Sequence, residues 1–169
     1  MTLLFLISAL DDFNTMQIRR ATEDDWPEVA RVFIAARAGM TYLPKLHSDA
    51  DTRLFIRRVV KRNAVWLADR EGALLGFAAL EPAPPQAWLH HLYVAPPAQN
   101  AGAGSALLDK AKAELPGGFS LWTFQANLGA RRFYERHGLT ETRRTNGADN
   151  EENLPDILYE WNGNAGGAT

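Results

Sequence analysis

The chain has 169 residues, 46% of them hydrophobic and 22% charged, with a formal net charge of −2 and no cysteine. Such a composition reads as one globular domain with a sizeable core, neither disordered nor membrane-spanning, and it offers no global charge to nucleic acid or anionic lipid. The absence of cysteine excludes disulfides, thiolate metal sites and a cysteine nucleophile, and is compatible with a reducing cytoplasm.

Residues 1–15 begin with an apolar run, Leu3 to Ile7, that has no Lys or Arg before it. That argues against a secretory signal, and the run is far too short to span a bilayer. The segment reads either as an N-terminal extension that packs on the domain or as one ahead of a natural start at Met16. A single domain is expected over 16–162, with a Gly/Ala-rich, flexible tail over 163–169.

A short strand is expected from Gln17 to Ala21. Thr22 or Asp25 then caps a helix, since Asp25-Trp26-Pro27-Glu28 matches a capping box with Pro at a favoured first-turn position. Trp26, Val29, Ala30, Phe33 and Ala36 share its apolar stripe. After a loop carrying Tyr42, Pro44 and His47, Ser48 caps a second helix to about Arg62, with Leu54, Phe55, Val59 and Val60 inward. The basic residues on its other face read as a solvated surface.

Two strands, Ala64 to Asp69 and Ala73 to Glu81, flank Glu71-Gly72, a hairpin signal. Prolines at 82, 84 and 85 break the chain before an aromatic-rich strand, Ala87 to Val94. Pro96-Pro97 stops that strand, and Gln99-Asn100-Ala101-Gly102-Ala103-Gly104 leads into a helix from Ser105 to Glu114. A turn at Pro116-Gly117-Gly118 precedes a strand from Phe119 to Phe124. Asn127 opens a helix that places Ala130, Phe133, Tyr134 and His137 on one face, and Gly138 ends it. Leu139 to Arg143 and Ile157 to Trp161 form a last strand pair around a polar loop. The order is β-α-α-β-β-β-α-β-α-β-β, an α/β (α+β) layout with a mixed sheet.

The turn at 99–104 carries the first chemical signal. Strand, glycine turn and helix N-terminus form an anion site, because unpaired N–H groups and the positive end of the helix dipole converge there. A dinucleotide fingerprint fails, since the third position after Gly104 is Leu107, and a P-loop fails for want of a lysine after Gly104. From the glycines alone, a plain helix-starting turn competes equally.

The flanking residues point further. Leu92-Tyr93-Val94 followed by Gln99, Gly102 and Gly104 resembles the Q/R-x-x-G-x-G/A motif of the GNAT superfamily of N-acetyltransferases. Asn127-x-x-Ala130-x-x-Phe133-Tyr134-Glu135-x-x-Gly138-Leu139 is similar to a second block of that family, and Leu154-Pro155-Asp156 is a weaker third match. The resemblance covers roughly residues 17 to 161.

The resemblance implies an enzyme that moves the acetyl group of acetyl-CoA, with no metal, to a primary amine of a small molecule or peptide by direct attack. It implies cofactor contacts at Leu92, Tyr93, Val94, Gln99, Asn100, Ala101, Gly102, Ala103, Gly104, Ser105, Asn127 and Tyr134. In the family the central strand splays from its neighbour and the cofactor's amides pair with the freed edge, which is strand addition. Val94 N–H is the implied oxyanion donor and Tyr134 the acid that protonates the thiolate. Many relatives carry Arg or Lys inside the turn, whereas this chain has Asn100 and Ala101.

The proton acceptor on the amine side is assigned to His90, with His91 in reserve because a bulge would exchange the strand faces. Strict alternation puts Trp88, His90 and Leu92 on one face and His91 and Tyr93 on the other. Tyr42, His47, Trp88 and His90 are expected to meet the acceptor. The four histidines, 47, 90, 91 and 137, show no metal-ligand spacing. A cytoplasmic homodimer that binds neither nucleic acid nor membrane completes the expectation. A non-catalytic acyl-CoA-binding or sensory module of the same fold is the alternative, and a nucleotide-binding protein is a further rival.

Overall fold

The computed structural model describes residues 15–163. All but residue 15 of the expected extension over 1–15, and all but residue 163 of the expected tail over 163–169, lie outside those residues. The described residues form seven strands: β1 (Gln17–Arg20), β2 (Ala64–Arg70), β3 (Ala73–Glu81), β4 (Trp88–Val94), β5 (Phe119–Phe124), β6 (Thr140–Arg144) and β7 (Asp156–Trp161). Four α-helices accompany them: α1 (Trp26–Ala38), α2 (Asp49–Arg62), α3 (Ala103–Glu114) and α4 (Leu128–Arg136). The order is the one expected from the sequence, with short 3-10 turns added at Glu23–Asp25 and Pro96–Ala98. Among the described residues no helix is long and apolar enough to cross a membrane.

One sheet runs β1-β2-β3-β4-β5-β7-β6. Every neighbouring pair is antiparallel except β4 with β5, whose connection through α3 makes them parallel. Local chemistry explains the boundaries. Thr22 and Asp25 form the capping box ahead of α1, and Ser48 Oγ accepts from Asp51 N at 3.1 Å to start α2. Glu71 and Gly72 both take positive φ, the geometry that fits a two-residue hairpin to twisted strands.

The sheet separates two apolar clusters. Val29, Val32 and Phe33 of α1 and Ile56, Val59 and Val60 of α2 pack on Leu67, Phe77 and Ala79. On the other face, Leu107, Leu108 and Ala111 of α3 and Tyr134 of α4 pack on Ala78, Leu80, Leu121, Ile157 and Tyr159.

Three expectations are corrected. α2 is rotated from the assumed register: Ile56 is fully buried with Val59 and Val60, while Leu54 is 53% exposed and Phe55 38% exposed. Leu54, Phe55, Val59 and Val60 span too wide an arc for the one narrow stripe that α1 covers. α3 begins at Ala103 rather than Ser105, because Ala106 N–H already donates to Gly102 O and two small residues enter the first turn.

The third correction concerns β4. The β3–β4 register slips between Ala79 and Leu80, so Ala79 pairs with His91 and Leu80 with Leu89. His90 is the extra residue of this bulge, and strict alternation fails there. Leu89 and Leu92, an odd number apart, therefore pack on the same cluster under α3 and α4, while Tyr93 packs on the α1/α2 side.

Candidate active site

The site begins where two strands part. β4 and β5 share one register pair, Trp88 with Ser120, supported by Ser120 N–H donating to Ala87 O at 3.0 Å. Beyond it the strands diverge. Ala95 N–H donates to Leu75 O in β3 at 2.7 Å. By the alternation of a strand, the amide and carbonyl of Val94 and of Leu92 then face away from β3, toward the gap. The Val94 carbonyl accepts from Gln99 Nε2 at 3.3 Å, so the turn is tied back to the strand edge.

That turn is built by two left-handed residues, Asn100 (φ 62°) and Gly102 (φ 89°). Asparagine is one of the few side chains that tolerate this region, which accounts for Asn100 where a basic residue was noted as missing. α3 starts directly afterwards, and the N–H groups of Ala103, Gly104 and Ser105 have no acceptor within the helix. They point out of its N-terminus with the positive end of the dipole behind them.

A cavity of about 520 Å³ fills the gap between the strands. Its wall includes Leu92 and Tyr93 of β4, Thr123 of β5, Asn127 at the N-cap of α4 and Tyr134 within that helix, and it also includes His90. Asn127 caps α4 through Oδ1, which accepts from Ala130 N at 3.1 Å. Its amide nitrogen remains available to the cavity. Tyr134 is 8% exposed; burial pushes its phenol well above the usual range, so it stays protonated at neutral pH.

His90 Nε2 donates to Glu81 Oε2 at 2.5 Å, and the ring lies parallel to Trp88 with centroids 6.1 Å apart. A carboxylate only accepts, so the neutral ring carries its proton on Nε2 and leaves Nδ1 as a free lone pair. His91 sits among Phe33, Phe55, Phe77 and Tyr93. Burial, with smaller contributions from His90 and Arg37, lowers its pKa to about 4.

A second cavity of about 700 Å³ lies between α1, α2 and the loop after β6, lined in part by Phe33, Leu43, Phe55, His91 and His47. The two cavities share Met40 and Glu152. Arg37 Nη2 donates to Glu152 Oε1 at 2.8 Å, and His47 pairs with Glu151 at 2.5 Å. Both contacts hold the loop after β6 to the α1/α2 side. Asp149 lines the first cavity and has no ion-pair or hydrogen-bond partner among the described residues.

The residues named from the sequence thus fall in three places. His90, Leu92, Tyr93, Asn127 and Tyr134 surround the first cavity. Val94 and residues 99–105 form its edge and the turn. His47 lines the second cavity, whereas Trp88 and Tyr42 line neither. Tyr42 packs against Phe124 at 6.1 Å, and its buried hydroxyl has no hydrogen-bond partner among the described residues. Sequence reading missed Glu81 and Arg37, and it places Glu152 only among the acidic residues of the polar loop 146–153, expected near the acceptor. The hairpin register that opposes Glu81 to Trp88 was the available signal for Glu81; the Arg37–Glu152 pair spans 115 residues of chain and gave none.

The family model for the acetyltransferase (GNAT) family matches residues 19–139. The chain belongs to the GNAT acetyltransferase family. Solved structures share this GNAT fold. The ribosomal-protein-S18-alanine N-acetyltransferase of Escherichia coli aligns with a TM-score of 0.72 at 20% identity, over 92% of this chain and 99% of that one. The PaiA N-acetyltransferase of Thermoplasma acidophilum, solved in complex with coenzyme A, aligns with a TM-score of 0.68 at 18% identity, over 88% and 99%. A GNAT acetyltransferase from Bacillus cereus gives 0.71 at 15% identity, over 88% and 98%. No curated protein sequence matches the chain. Among the described residues no group of three or more His, Asp or Glu could hold a metal ion.

Proposed function

We propose that this GNAT protein transfers the acetyl group of acetyl-CoA to a primary amine of a small molecule or peptide. The single observation that carries the reading is the parting of β4 from β5 beside a helix N-terminus whose first amides are free. The residues present fit the cofactor. The free edge at Leu92 and Val94 offers donors and acceptors to an extended arm carrying amides, and the α3 amides suit a pyrophosphate. Acetyl-CoA supplies an activated thioester.

The chain's own groups then have separable tasks. Val94 N–H, held by the strand and facing the gap, is a fixed dipole for an oxyanion. Tyr134 keeps its proton through burial and donates it to the departing sulfur. His90 receives the amine proton at Nδ1, directly or through water, while Glu81 fixes the tautomer. Asp149, unpaired on the cavity wall, suits the ammonium form of an arriving acceptor. A second reading for the base is His91: it stays neutral at physiological pH and lines the second cavity.

Thermal unfolding with acetyl-CoA, CoA, ATP and NAD tests the cofactor, followed by CoA release across an amine panel. Saturation at about 100 times Kd adds roughly 2.7 kcal/mol, a shift of several degrees for a domain of this size. A rise confined to the CoA species, with turnover on at least one amine, is expected. Tight binding without turnover on any amine would favour a sensory module, and a rise with ATP or NAD alone would overturn the assignment.

A further inference from the structure

His137 joins the end of α4 to the start of α3. Its Nδ1 lies 2.8 Å from Phe133 O and its Nε2 lies 3.0 Å from Ser105 Oγ. The ring packs on Phe133, with centroids 4.3 Å apart, and the whole group is half-buried. Ser105 is the third residue of α3, beside the free amides of the turn.

The donor and acceptor roles in this chain are forced. A carbonyl only accepts, so Nδ1 carries a hydrogen whatever the charge of the ring. In the neutral ring Nε2 is then an acceptor, and the Ser105 hydroxyl must donate to it. That turns the Ser105 hydrogen toward His137 and leaves oxygen lone pairs for whatever approaches the helix N-terminus. Lone pairs repel an anion. If the ring takes a proton, Nε2–H donates to Ser105 Oγ, and the hydroxyl hydrogen is released to point at the anion.

We propose that His137 is a positioning residue for the pyrophosphate of the cofactor: it takes up a proton from solvent as the anion binds, and so switches Ser105 from a repelling to a donating hydroxyl. The inference rests on the CoA reading given above, and it concerns a group outside both cavities. No covalent bond changes, and the proton comes from water or buffer. Of the charged groups nearby, Lys112 of α3 donates through Nζ to the His137 backbone carbonyl at 2.5 Å, and Glu135 and Arg136 directly precede His137 in the chain. Glu135 is engaged by the hydroxyl of Tyr159 at 2.7 Å.

The test is calorimetric titration of the full chain with 3′-dephospho-CoA, whose pyrophosphate diester does not titrate near neutrality, in buffers of different ionisation enthalpy. The wild type should bind with net proton uptake near neutral pH, and its Kd should fall at least about threefold from pH 8 to pH 6. His137→Gln can donate to Ser105 but cannot titrate, so uptake and pH dependence should both vanish while binding persists. Ser105→Ala should flatten the pH dependence in the same way. A merely structural His137 would weaken binding in the variant by the same factor at every pH. Binding without proton uptake in the wild type, or uptake that survives in His137→Gln, overturns the proposal and leaves the CoA reading standing. No binding of 3′-dephospho-CoA or CoA at any pH overturns both.

Discussion

Trp88 pairs with Ser120, the single parallel register pair between β4 and β5 among the described residues. A sheet normally continues its ladder, since an unpaired buried amide or carbonyl costs about as much as a lost hydrogen bond. Here the groups beyond Trp88 remain available because the bulge at His90 bends β4 and β5 is fully paired to β7 on its other side. The unpaired edge is what the proposed cofactor site uses.

Removing the Tyr134 hydroxyl tests the proposed acid. Tyr134→Phe should lower turnover at least roughly tenfold, a lower bound for losing general-acid catalysis, with little change in CoA affinity. The check is steady-state kinetics together with calorimetry on the same preparation. Unchanged turnover would remove Tyr134 from the mechanism.

The same substitution at two glycines of the turn should give different results. Gly102 has φ 89° with open space around the missing Cβ, so Gly102→Ala is strained through the backbone alone. The expected cost is about 1 kcal/mol of stability, with weaker CoA binding as the helix N-terminus shifts. A Cβ on Gly104 would make ordinary contacts, 3.5 Å to Phe133 and 3.6 Å to Val94. Gly104→Ala should keep near wild-type stability and affinity. Denaturant unfolding and calorimetry on the pair decide it.

His91 makes stability depend on pH. Its pKa is about 4 in the folded protein, against 6.5 for an ordinary histidine. Between those values the unfolded chain holds a proton that the native state refuses. The contribution is therefore complete above about pH 6.5 and is lost as pH falls toward 4, by roughly 3 kcal/mol at most. His91→Phe, which suits the surrounding aromatic rings, should flatten this part of the profile. Urea unfolding from neutral pH down to about pH 4.5 reads it, and equal slopes in the two proteins would refute the assignment.

The register of α2 has its own check. Ile56→Ala empties a fully buried site and should cost about 2–5 kcal/mol. Leu54→Ala, at a position 53% exposed, should stay within about 0.5 kcal/mol of wild type. Equal losses would contradict the helix orientation.

Much of the architecture was written in local chemistry. Ser48, Asn127 and Gly138 marked helix ends because capping and left-handed termination involve only near neighbours in the chain. Glu71-Gly72 marked the hairpin, and the spacing of Gln99, Gly102, Gly104, Asn127 and Tyr134 marked the family. The inward face of α2 was not legible. Leu54 and Phe55 are as apolar as Ile56, and only the position of α1 selects among them.

The sequence by itself therefore determined the order of elements, the turn that frees the α3 amides, and the tyrosine at the proposed acid position. Each depends on residues close together in the chain or on a motif of fixed spacing. Tertiary structure decided that β4 bulges at His90, that Glu81 holds that histidine's tautomer, and that His137 reaches Ser105 across 32 residues of chain. It also decided that Arg37 and Glu152 meet where the two cavities join. Those contacts depend on strand register and on how helices lie across the sheet, which packing of the whole core fixes and no short stretch of sequence specifies.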